Sequence, residues 1–163
     1  MEKYRAFHRR SITDREGFWR EQAAAIDWQT PFQRVLDYDK PPFAKWFVGG
    51  TTNLCHNAVD RHLQTRGGRN ALIYISTETG QSRSYTFNEL HAEVNRCAAA
   101  LSSLGLGRGD RMLIYMPMVP EAVFAMLACV RLGAIHSVVF GGFASHSLAS
   151  RIDDAKPKLM FTA

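Results

Sequence analysis

Cysteine is scarce in this sequence: three residues in 163, Cys55, Cys97 and Cys129, widely spaced and odd in number. There is no C-x-x-C pair and no matching histidine pair, so neither a disulfide framework nor a zinc knuckle is indicated, and a reducing, cytoplasmic setting is expected. No run of five like charges exists. The excess of 20 Lys+Arg over 15 Asp+Glu, a net +5, is spread along the chain and argues against nucleic-acid binding, although it favours small anions such as nucleotides. Long apolar runs are also missing: the most apolar stretch, 122–130, is bracketed by Glu121 and Arg131 and falls short of the ~20 residues that cross a bilayer. The basic N-terminus is followed by Ser11-Ile12-Thr13-Asp14 rather than an apolar core, which argues against a secretory signal, and no membrane partner is expected.

What is present is ordinary globular composition, 46% hydrophobic and 11% aromatic, at a length that suits about one domain. Two textures divide it. Residues 1–66 are rich in aromatics and prolines and read as an irregular, helix-containing arm, with a capping box at Thr13-x-x-Glu16 opening a helix through Phe18, Trp19, Gln22, Ala23 and Ile26. A second helix is predicted from Leu54 to Gln64, with Leu54, Ala58 and Val59 on one face.

From residue 67 to 163 the pattern alternates regularly. Strands are predicted near 72–76, 83–87, 110–116, 135–140 and 158–162, the first two as a hairpin. Thr86-x-x-Glu89 is a capping box for a helix with the stripe Leu90, Val94, Cys97, Ala98 and Leu101, ended by Gly105. Pro120 opens an almost wholly apolar helix that stops at Gly133, and a shorter helix runs from Ser145 to Ala155. The expected class is α/β: a three-layer, open, mostly parallel sheet with flanking helices, preceded by the arm. The last predicted strand ends the chain with no helix after it, which reads as a truncated piece of a larger domain.

Catalytic signatures are sparse. There is no G-x-S-x-G elbow and no G-x-x-x-x-G-K-[ST] loop. Gly49-Gly50-Thr51-Thr52 lacks the lysine of a phosphate loop and reads as a plain turn; Gly105-x-Gly107-x-Gly109 joins helix to strand, the reverse of a dinucleotide fingerprint; Gly67-Gly68 is equally plain. His56, His62, His91 and His136 lack partners at ligand spacing, and Asp153-Asp154 reads as a solvated pair, so no metal site is expected. The exception is Phe140-Gly141-Gly142-Phe143. It follows a strand and precedes a helix, at the carboxyl end where open α/β sheets bind ligands. Residue spacing leaves two readings open: a ligand-binding turn, or two glycines that serve turn geometry through positive φ.

Several runs together carry a resemblance. Trp46-Phe47-x-Gly49-Gly50, Asn53-Leu54-Cys55-His56-Asn57-Ala58-Val59-Asp60-Arg61-His62, Gly109-Asp110-Arg111-Met112-Leu113-Ile114-Tyr115-Met116-Pro117-Met118 and Gly133-Ala134-Ile135-His136-Ser137-Val138-Val139-Phe140-Gly141-Gly142-Phe143 resemble the N-terminal part of short-chain acyl-CoA synthetases, within the AMP-forming, adenylate-forming superfamily. Ala144-Ser145-x-Ser147-Leu148-Ala149-x-Arg151-Ile152-Asp153-Asp154-Ala155 looks more like the propionate-CoA ligase type than the acetate type. The resemblance covers nearly the whole chain. It implies an enzyme that joins propionate or acetate to CoA through an acyl-adenylate, using ATP with Mg and releasing AMP and pyrophosphate. It also implies that the nucleotide end of CoA lies against Phe140, Gly141 and Gly142. The family's phosphate loop, acyl pocket, catalytic lysine and CoA-phosphate arginines have no match within residues 1–163, so no catalytic residue is carried over and the fragment alone is expected to be inactive, holding neither ATP nor CoA tightly. A non-catalytic nucleotide-binding or interaction module is the alternative.

Overall fold

A computed structural model describes residues 2–142 and 144–163, in two compact units, Met1–Asn53 and Leu54–Ala163. The expected boundary at 66 and 67 does not coincide with this division, because Cys55 and Val59 are fully buried in the core of the second unit.

The first unit is more regular than its composition suggests. Helices α1 (Glu2–Thr13) and α2 (Arg15–Gln22) are followed by an antiparallel hairpin, β1 (Arg34–Lys40) and β2 (Phe43–Val48), in which Leu36 pairs with Trp46. The Thr13 capping box does not form. Thr13 Oγ1 instead donates to the Arg9 carbonyl at 3.1 Å, a bond to the preceding turn that short hydroxyl side chains readily make. Asp14 takes the cap, its carboxylate accepting from Gly17 N–H at 3.2 Å. Aromatic rings fill the interior: Trp28, Phe32 and Phe47 lie 5.2–5.5 Å apart, and Phe7 meets the buried Phe18 edge-on at 4.7 Å.

In the second unit the helix predicted from Leu54 to Gln64 is broken into α3 (Leu54–Ala58), a 3-10 turn (Asp60–His62) and α4 (Leu63–Arg66). Leu54 faces solvent, while Cys55 and Val59, four residues apart, point inward. The break lets the Asp60 carboxylate meet the guanidinium of Arg131. The hairpin β3 (Asn70–Ile75) and β4 (Ser82–Thr86) then leads into α5 (Phe87–Ser103), whose capping box is complete: Glu89 N–H donates to Thr86 Oγ1 at 3.2 Å and Thr86 N–H to the Glu89 carboxylate at 2.7 Å. Leu90, Val94, Ala98 and Leu101 of its stripe are buried.

Strands β5 (Arg111–Met116), β6 (Ile135–Phe140) and β7 (Leu159–Thr162) form a parallel sheet in the order β6-β5-β7; the β3–β4 hairpin is a separate two-stranded sheet rather than an extension of it. Helix α6 (Pro120–Arg131) connects β5 to β6, and α7 (Ser145–Ala155) returns across β5 to β7. Because right-handed crossovers in opposite directions fall on opposite faces, this order yields three layers. Met112, Ile114 and Met116 join the core with Ala125, Ala128 and Cys129 of α6, and Leu113 and Val139 are buried on the other face. β6 is less covered than a fully buried strand: Ile135, Val138 and Phe140 are all more than half exposed, since β6 pairs only with β5.

His136 is the exception to good polar pairing in this sheet. Its Nδ1 is buried without a hydrogen-bond partner among the described residues, and burial holds the imidazole below its usual pKa. A depressed pKa means that the unfolded chain takes up the proton first as pH falls. Its contribution is therefore present above about pH 6.5 and lost below it. Thermal unfolding of His136→Leu should accordingly lose less stability than wild type between about pH 6.5 and 5. Parallel pH profiles for the two proteins would contradict this assignment.

Candidate functional site

The two connections that leave the carboxyl ends of β5 and β6 diverge. Pro117-Met118-Val119 leads to α6 on one face of the sheet, and Gly141-Gly142 leads toward α7 on the other. Such a divergence between neighbouring parallel strands opens a crevice, the place where open α/β sheets take ligands. Here it forms the wall of a cavity of about 510 Å³, closed from the side by the hairpin end, Tyr74 to Thr79, and floored by Phe140, Gly141 and Gly142. The structure thus brings the three predicted residues into one lining. Phe143, the fourth of the motif, lies outside the described residues.

Neither glycine has positive φ, which corrects the expectation that left-handed backbone would explain the pair. Close approach explains them instead. A Cβ on Gly141 would stand 3.3 Å from the Met116 carbonyl carbon and the Pro117 nitrogen, main-chain atoms that cannot swing aside. A Cβ on Gly142 would stand 2.7 Å from Cε1 of the Phe140 ring. The Tyr115 hydroxyl donates to the Gly141 carbonyl at 3.0 Å and ties the turn to β5. Phe140 is 59% exposed.

The other glycine turns have structural work. Gly50 packs against Trp28, where a Cβ would come within 2.7 Å of the indole ring. The Gly105–Gly109 connection is held by Asp110, whose carboxylate accepts from Gly107 N–H at 2.9 Å and from Lys158 Nζ at 2.8 Å; the lysine first and the amide second hold its pKa below the usual carboxylate range.

The chemistry on offer around the cavity is that of binding. Hydroxyls from Ser76, Thr77 and Thr79, the single carboxylate of Glu78 and exposed rings line it. The cysteines are poor nucleophiles: burial raises all three thiols, Cys129 to about 11, so they stay protonated at neutral pH. Asp153 and Asp154 are exposed, and among the described residues no group of three or more His, Cys, Asp or Glu side chains stands together as a metal site. No helix among them is long and apolar enough to cross a membrane. Sequence reading did not find the hairpin end or Pro117–Val119 as lining; the packing of Tyr85 edge-on against Phe124 of α6, rings 5.2 Å apart, anchors the hairpin there, and nothing in the local pattern of 74–79 signals it.

Comparisons with known proteins identify the family. Residues 59–163 match the family described as AMP-binding enzyme, and residues 4–58 match the acetyl-coenzyme A synthetase N-terminus. The chain is 60% identical over 157 residues to a propionate–CoA ligase of Salmonella typhimurium, covering 96% of this chain and 25% of that protein. It is 54% identical over 164 residues to an acetyl-coenzyme A synthetase of Thiobacillus denitrificans, covering 100% and 25%. Among solved structures, acetoacetyl-CoA synthetase from Streptomyces lividans superposes with a TM-score of 0.90 at 34% identity, over 98% of this chain and 25% of that one. The chain therefore spans about a quarter of the length of the relatives it matches.

Proposed function

Because this chain belongs to the AMP-binding enzyme family, we propose that it is the N-terminal part of an AMP-forming acyl-CoA ligase whose substrates are propionate or acetate, ATP and CoA. In the first half-reaction a carboxylate oxygen attacks the α-phosphorus of ATP, giving acyl-adenylate and pyrophosphate. In the second the CoA sulfur attacks the acyl carbon and AMP leaves. Both steps depend on holding charged reactants in register more than on covalent help from the protein.

The observation that carries this reading is the position of Phe140, Gly141 and Gly142 at the crevice between β5 and β6, where a ring surface and close-packed backbone meet. We assign that turn to the nucleotide end of CoA. Propionate is favoured over acetate by the higher identity to the propionate–CoA ligase. The three free cysteines fit a reducing cytoplasm.

The complete polypeptide is expected to catalyse ATP–pyrophosphate exchange that depends on propionate, more weakly on acetate, and to form the thioester when CoA is added. Residues 1–163 alone are expected to do neither, because this sequence contains no glycine-rich loop ending in lysine to hold the triphosphate. Exchange by the purified 163-residue chain would overturn the assignment of this region to the CoA side of the enzyme.

A further inference from the structure

Next to the crevice lies a second cavity of about 380 Å³, which shares Tyr74 and Val119 with the larger one and contains Arg83. Among the described residues lining the two cavities, Arg83 is the one cationic side chain. It stands opposite Tyr74 in the hairpin register and two residues before the buried Tyr85, so it shares their side of the hairpin while remaining exposed itself. Its guanidinium carbon lies 4.4 Å from the centroid of the Tyr85 ring, and that ring is itself wedged against Phe124. Stacking of this kind fixes a guanidinium plane, and its fork of five N–H donors can serve more than one acceptor. Glu121 lines the same cavity and Glu78 the larger one, and the charge of Arg83 also reaches the Tyr85 side chain and the Glu89 carboxylate.

A stacked, oriented guanidinium beside a site read as a nucleotide site is placed to meet a phosphate. From the two joined cavities we infer that Arg83 is a positioning residue for the 3′-phosphate of CoA. The inference rests on the assignment of the Phe140–Gly142 turn to the CoA nucleotide and adds to it the residue that reads the nucleotide's branch. The 3′-phosphate projects sideways from the ribose, matching a side cavity, whereas the pyrophosphate must continue with the pantetheine arm toward the reacting carbon. Arg83 thus supplements the CoA-phosphate arginines that the family resemblance places outside residues 1–163.

The test compares CoA with dephospho-CoA, which lacks only that phosphate, in the complete polypeptide carrying Arg83→Gln. The KM for CoA should rise about tenfold, the value for one lost charge-assisted contact, while the KM for dephospho-CoA changes little. Arg83→Lys should restore part of the discrimination, because it keeps the charge and loses the fork. Equal KM increases for both thiols, or none, in a variant with wild-type melting temperature would overturn the role of Arg83. Failure of the underlying site assignment would show differently, as unchanged CoA kinetics when Gly142 itself is enlarged.

Discussion

Replacing Arg131 by methionine is expected to destabilise the second unit by about 2–4 kcal/mol, one of the largest losses any single side chain outside the cavity should cause. The guanidinium, only 20% exposed, donates to the Asp60 carboxylate, to the Asn95 side-chain oxygen and to Cys55 Sγ at 3.2 and 3.4 Å, joining α3 and the following turn to α5 and α6. His91 stands 3.6 Å from the same carboxylate. Removing the arginine leaves Asp60, 28% exposed, without its main countercharge, and the cost of that uncompensated charge exceeds the worth of the pair. The loss should appear as a lowered denaturant midpoint and as faster hydrogen exchange in α3 and α6. A double variant, Arg131→Met with Asp60→Leu, should recover part of it, since an apolar pair of similar volume strands no charge. Equal losses in the single and double variants would show that packing, not charge compensation, is what Arg131 provides.

Much of this second unit was legible because its signals are local. The capping box at Thr86 and Glu89 and the stripe from Leu90 to Leu101 are written at helical spacing, and the structure satisfies both. The crevice was legible in part, since a Gly-Gly pair between a strand and a helix marks the carboxyl edge of a parallel sheet. What was not legible is what tertiary packing decides. Pro41 and Pro42 interrupt the alternation at the turn of the β1–β2 hairpin, so its two strands do not show in the local pattern. Helix α1 has too little apolar character to announce itself, and its Phe7, which meets Phe18 edge-on, is half exposed. The hairpin end and Arg83 reach the cavity only because Tyr85, far from both glycines in sequence, packs on Phe124. At the glycines the reason differs from the expected one: close approach of main chain at Gly141 and of the Phe140 ring at Gly142, and not left-handed backbone, is what a side chain would meet.

The account turns on the assignment of the Phe140–Gly142 turn to CoA, and enlarging Gly142 separates the two half-reactions. Gly142 is a better probe than Gly141, whose Cβ would press on the main chain of Met116 and Pro117 and strain the fold. At Gly142 the neighbour is the Phe140 ring, which is exposed and can move, so a leucine displaces the ring surface and fills the crevice with little demand on the backbone. Paired assays on the complete Gly142→Leu polypeptide, with a melting temperature near wild type, give the most direct measurement. Thioester formation should require at least about tenfold more CoA, on the order of 1.4 kcal/mol of lost binding, and propionate-dependent ATP–pyrophosphate exchange should fall far less. Equal loss in both half-reactions, or no loss in either, would contradict the assignment and return these glycines to turn geometry.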